Sequence, residues 1–100
     1  MIKHINLWRY KESLTEEQKT EVRKGMKEAF ESLPGQIPGL ISCVVRTELM
    51  PKSNADCMME CTFESEEALE AYRSNPLHQE IAVTKVRPYT ESRLGVDYEI

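Results

Sequence analysis

The chain has 100 residues, 40% hydrophobic and 30% charged with 4 Gly and 5 Pro, which excludes disordered, collagen-like and low-complexity classes. Thirteen basic against seventeen acidic residues leave a net charge of −4, so no nucleic-acid partner is expected. One domain is expected over residues 1–100, and a chain this short buries only about 60–65% of its unfolded surface when it folds alone.

Residues 2–10 alternate, with Ile5 and Leu7 on one face and Ile2, His4, Asn6, Trp8 and Tyr10 on the other, predicting a first strand. No signal-peptide core precedes it and no apolar run is long enough to span a membrane; a cytoplasmic protein without a membrane partner is expected. Thr15-Glu16-Glu17-Gln18 is a capping-box pattern, and Val22, Met26, Ala29, Phe30 and Leu33 follow at helical spacing. The Lys/Glu-rich remainder of that helix reads as solvated surface. Pro34-Gly35 ends the helix, and Ile37-Pro38-Gly39 leads into a second strand over Leu40 to Glu48. Met50 to Asn54 reads as a polar hairpin loop, and Ala55 to Phe63 as a third strand.

Three cysteines, an odd number, fit poorly with a disulfide scaffold. Cys57 and Cys61 stand four apart on one strand face, about 13 Å from each other, beyond the reach of a disulfide or of one zinc ion. They read as small core residues beside Met59 and Phe63, with no chemistry assigned to the thiols. His4 and His78 have no neighbouring carboxylate spacing, so no metal is expected.

Ser65 followed by Glu66 and Glu67 marks the next helix start, with Ala68, Leu69 and Tyr72 on its buried side. Asn75-Pro76 breaks that helix and begins another short one, on which His78, Ile81 and Ala82 share a face. Extended structure is expected from Val86 onward, with Leu94, Val96, Tyr98 and Ile100 alternating in a last strand. The order is βαββαβ, an α+β ferredoxin-like pattern: a four-stranded antiparallel sheet with helices on one face. The strands carry apolar residues on both faces (Leu7 against Trp8, Val44 against Val45), and helices on one side cover only one of them. A homodimer whose two sheets face each other as a barrel is expected.

Four segments resemble a known family: Lys3-His4-Ile5, Ile37-Pro38-Gly39-Leu40, the run from Phe63 to Tyr72 (FESEEALEAY), and Asn75-Pro76-Leu77-His78. Together they are similar to the stress-responsive dimeric α/β-barrel family, over nearly the whole chain from His4 to Asp97. The resemblance implies a barrel dimer with a pocket between sheet and helices in each subunit. Most of the family has no assigned reaction. One branch, a plant olivetolic acid cyclase, closes a linear polyketide by aldol condensation without a cofactor. Its functional Tyr and His match Tyr72 and His78, and its strand-one His matches His4. Asn75 stands where the family often has His.

Chemistry supports the same pair. A neutral imidazole at His78 can take a proton from an acidic carbon near neutral pH, and the Tyr72 hydroxyl can donate to the oxyanion that develops. The bland alternative has His78 satisfying a helix turn and Tyr72 filling core. His4, Asn6 and Trp8 share a strand face and are candidate substrate-binding residues, with Asp97 a further candidate that orients a histidine or caps the sheet edge. The expected ligand is a small apolar or carbonyl-bearing molecule, and no cofactor is expected. A non-catalytic, stress-associated binding dimer is the alternative, with a cofactor-independent monooxygenase behind it. A haem-degrading protein of this architecture supplies a helical Trp, whereas the single Trp here, Trp8, is on a strand.

Overall fold

A computed structural model describes residues 1–100. The elements are β1 (Ile2–Tyr10), α1 (Glu16–Glu31), β2 (Leu40–Arg46), β3 (Cys57–Phe63), α2 (Glu66–Ser74), α3 (Pro76–Ile81) and β4 (Thr90–Glu99). The strands form one antiparallel sheet in the order β2-β3-β1-β4. Each helical crossover therefore skips one strand, as in the expected ferredoxin-like arrangement.

Period-two alternation decides which half of β1 is buried. Ile2, His4, Asn6, Trp8 and Tyr10 lie under the helices, where the core also takes Met26 and Phe30 of α1 and Leu69 and Tyr72 of α2. The Thr15 capping box forms as expected: Gln18 N–H donates to Thr15 Oγ1, and Thr15 N–H donates to Gln18 Oε1. The charged face of α1 does more than meet water. Lys27 Nζ donates to the Val45 carbonyl at 2.9 Å, and Val45 N–H donates to Glu31 Oε2 at 2.9 Å. Val45 lies on β2, an edge strand, so this Lys27–Glu31 pair satisfies backbone groups that would otherwise be open to another chain.

Gly39, just before β2, has φ +81°, and a Cβ there would stand 2.4 Å from Ala68 Cβ on α2. Only glycine meets both demands. Gly39→Ala is expected to destabilise the fold by about 2–4 kcal/mol, combining left-handed strain with overpacking. Thermal unfolding should then show a midpoint lower by at least about 10 °C, and an unchanged midpoint would refute the contact.

Several expectations about boundaries need correction: α1 ends at Glu31, before Pro34, and β3 begins at Cys57 rather than Ala55. β2 ends at Arg46 rather than Glu48. Residues from Val86 are not extended: α3 runs into a π-helical turn over Ala82–Val86, then a 3-10 turn over Arg87–Tyr89, and β4 begins only at Thr90. The β-branched residues Val83, Thr84 and Val86 favour a strand locally, but burial of Val86 against the core outweighs that preference.

The other sheet face carries no helix. Leu94 and Val96 of β4 are 68% and 52% exposed; Tyr98 on the same strand is exposed too, as in part is Val44 on β2 at the opposite edge. Ile5 and Leu7 of β1, paired with Val96 and Leu94, continue this open apolar surface. No helix is long and apolar enough to cross a membrane.

Candidate active site

A cavity of about 290 Å³ lies between the sheet and the helices. His4, Asn6 and Trp8 reach it from β1, Tyr72 from α2, His78 from α3 and Arg93 from β4. A larger groove of about 730 Å³ between α1 and the π-helical turn is lined by Glu17, Glu21, Glu28 and Lys85, ordinary solvated groups. The residues singled out from the sequence line the smaller space.

His78 owes its position to the Pro76 break. In a continuous helix the Arg73 carbonyl would accept from the Leu77 N–H. Here Asn75 Oδ1 takes that N–H at 2.9 Å as the N-cap of α3, with Pro76 at its first position. The Arg73 carbonyl is thereby left to accept from His78 Nδ1 at 3.3 Å and from Gln79 Nε2 at 2.5 Å. A carbonyl only accepts, so His78 carries its proton on Nδ1 and its Nε2 lone pair is bare. Its ring lies 4.1 Å from that of Tyr72, centroid to centroid.

His4 is held the same way by a different partner. Its Nδ1 donates to Asp97 Oδ1 at 2.5 Å, and Arg73 Nη2 donates to Asp97 Oδ2 at 2.7 Å. Again the free nitrogen is Nε2. Asp97 itself does not line the cavity; it stands behind His4, opposite it in the β1–β4 register, and orients the ring. Burial opposes charging of the Asp97 carboxyl, but His4 and Arg73 outweigh that and hold it below the ordinary carboxylate range. Desolvation lowers both histidines below 6.5; Asp97 pulls His4 partly back and the Arg73 carbonyl does the same for His78, while His4, Arg93 and Arg87 push His78 down. Both rings are neutral bases at neutral pH.

Four buried side-chain polar atoms in the chain lack a hydrogen-bond partner, and three belong to residues around this cavity: Asn6 Oδ1, Trp8 Nε1 and Tyr72 Oη. Such groups are rare in folded proteins because each forgoes its hydration without replacement. Three of the four thus fall at one place in the fold. Burial raises the Tyr72 hydroxyl well above its ordinary value, so it stays a donor. Trp8 stacks on Phe30 at 5.8 Å, which gives the cavity a flat aromatic wall.

Five of the six site residues read from the sequence thus meet at one cavity, and the sixth, Asp97, serves one of them from behind. The sequence reading missed the arginines Arg73, Arg87 and Arg93, which also line it. The signal for Arg93 was present: it is in phase with Gly95 and Asp97, opposite in direction to Leu94 and Val96. Also missed was Cys43, which the β2–β3 register sets directly opposite Cys61, with sulfurs 3.1 Å apart. Cys57 and Cys61 are fully buried beside Met59 and Phe63, as core packing requires.

No curated protein matches the chain. Among solved structures, it is 28% identical to a dimeric protein of unknown function and ferredoxin-like fold from Bacteroides fragilis, with TM-score 0.90 over 99% of this chain and 95% of that one. A hydroxynitrile lyase from Passiflora edulis is 24% identical, with TM-score 0.74 over 99% and 92% of the two chains. SnoaB, a cofactor-independent oxygenase from Streptomyces nogalater, is 9% identical, with TM-score 0.73 over 99% and 91%. The last two likenesses show the fold alone. The family model described as the Stress responsive A/B Barrel Domain matches residues 2–100, and the chain belongs to that family, Dabb.

Proposed function

We propose that this protein is a cofactor-free proton-transfer enzyme acting on a small carbonyl-bearing molecule, and that it works as a homodimer. The observation that carries the reading is the cavity itself: two neutral histidines, each bonded through Nδ1 and leaving Nε2 free, line it beside Tyr72, whose buried hydroxyl has no partner. His78 Nε2 takes a proton from the carbon next to the substrate carbonyl. The electron pair of that C–H bond moves into the carbon framework, and charge develops on the carbonyl oxygen. Tyr72 donates to this oxygen. The resulting enolate carbon can attack a second carbonyl of the same molecule, and the proton on His78 returns to the new alkoxide. His4, oriented by Asp97, accepts a hydrogen bond from a substrate hydroxyl, in the role of a binding residue. That an enzyme of the hydroxynitrile lyase class shares this fold supports catalysis on such a frame.

The competing reading is a binding dimer with the same cavity and no turnover. Benzoylacetone, a small 1,3-dicarbonyl, separates the two. Its central carbon should take up deuterium from D2O faster with the protein than with buffer alone, as followed by proton NMR. Binding without acceleration would leave the non-catalytic dimer.

The dimer is supported by the open face of the sheet, where Leu94 and Val96 stand exposed in a row with Ile5 and Leu7. Two such faces packed together remove apolar surface from water, and a stable interface needs roughly 1,000 Å² or more. The dimeric Bacteroides fragilis relative supports the same arrangement. Light scattering at micromolar concentration should give twice the chain mass, and Leu94→Asp with Val96→Asp should halve it. A wild-type monomer would overturn the assembly.

A further inference from the structure

The charges around the cavity are all of one sign. Arg73, Arg87 and Arg93 line it and no carboxylate does, in a chain whose net charge is −4. Arg73 is spoken for by Asp97 at 2.7 Å and Glu70 at 3.2 Å. Arg87 and Arg93 form neither an ion pair nor a side-chain hydrogen bond; they enter from the 3-10 turn and from β4. Arg93 lies opposite Trp8 in the β1–β4 register, and Gly95 lies opposite Asn6. A Cβ at Gly95 would stand 3.2 Å from Asn6 Oδ1 and 3.5 Å from Arg93 Nη2. The bare glycine therefore keeps open the space between a guanidinium and an unpartnered buried amide oxygen.

We infer that the ligand of this cavity is a small, flat monocarboxylate, its carboxylate held by Arg93 and Arg87 and its carbonyl directed to Tyr72 and His78. This rests on reading the cavity as the reaction site. A guanidinium offers paired donors that match the two oxygens of a carboxylate, and such charge-assisted bonds are the strong ones. The buried Trp8 Nε1–H and Tyr72 O–H add donors but no further positive charge, which suits a monoanion. The volume of about 290 Å³ is at the low end for small-molecule sites. The Trp8–Phe30 stack favours a planar body.

Trp8 is the only tryptophan, so the protein has one indole N–H signal, and its residue lines the cavity. Titration of nitrogen-15-labelled protein with 4-acetylbenzoate and with its neutral counterpart 4-acetylbenzamide reads binding from that signal. The carboxylate is expected to bind about 10- to 100-fold more tightly. Raised salt should narrow the gap, and Arg93→Gln or Arg87→Gln should bring the ratio toward one. Arg93 and Arg87 are exposed, so both variants should fold, which circular dichroism checks. Equal binding of the two probes, or a preference that survives both substitutions, overturns the carboxylate assignment and leaves the cavity as a site. Displacement of the probe by inorganic phosphate at equal concentration also overturns it, in favour of a phosphorylated ligand. If neither probe moves the Trp8 signal, the assignment falls together with the reading of the cavity.

Discussion

His78→Ala is expected to slow protein-accelerated deuterium uptake by benzoylacetone by about 10²–10⁴-fold, the usual contribution of a positioned base. The fold should survive. His78 is half-buried, and its only side-chain hydrogen bond is the long one to the Arg73 carbonyl, a loss of roughly 1 kcal/mol. His78→Gln separates ring chemistry from packing, because it fills similar space and cannot take the proton. The pH profile adds a sign that a structural histidine would not produce. Burial, with His4, Arg93 and Arg87 around it, places the His78 pKa below 6.5. The neutral base therefore persists into mildly acid solution, and the rate should fall only as pH drops through that lowered value. Stability runs in the same direction: below pH 6.5 the unfolded chain binds more protons than the folded one, so stability present above that pH is lost as pH falls through the folded value. An acid limb centred at or above 6.5, or one unchanged in His78→Ala, would exclude the neutral base.

Tyr72→Phe is expected to reduce the same rate by about 10²–10³-fold, as the loss of one oxyanion donor does elsewhere. Its effect on stability should have the opposite sign. The Tyr72 side chain is fully buried, packed 5.0 Å from the ring of Phe63, and its hydroxyl has no partner. Phenylalanine keeps the packing and removes a desolvated polar atom, a gain of about 1–3 kcal/mol. A rise in melting temperature together with a fall in rate is what a residue kept for chemistry would show. If Tyr72→Phe leaves the rate intact, the hydroxyl is no oxyanion donor and His78 acts without it. Combining the two substitutions should cost less than the product of the single losses, because base and donor act on one transition state.

Much of this site could be read from local pattern. The alternation in residues 2–10 puts His4, Asn6 and Trp8 on one face whatever the rest of the chain does. The Asn75-Pro76 break was legible from cap and proline chemistry. What that break accomplishes was not legible: freeing the Arg73 carbonyl to set the His78 tautomer depends on three-dimensional hydrogen bonding. The helical path from Val86 to Tyr89 was missed for a related reason, since β-branched residues favour a strand until burial of Val86 decides otherwise.

The sequence by itself determined the βαββαβ order, the helix caps and the two-faced apolar strands, because each follows from period or capping within a few residues. Tertiary structure alone decided which residues from distant strands meet. Register placed Asp97 against His4 and Cys43 against Cys61, and left Gly95 as open space between Asn6 and Arg93. Strand period is two, so sequence says which face a side chain takes; the partner across the ladder depends on how the strands slide, and packing of the whole core chooses that.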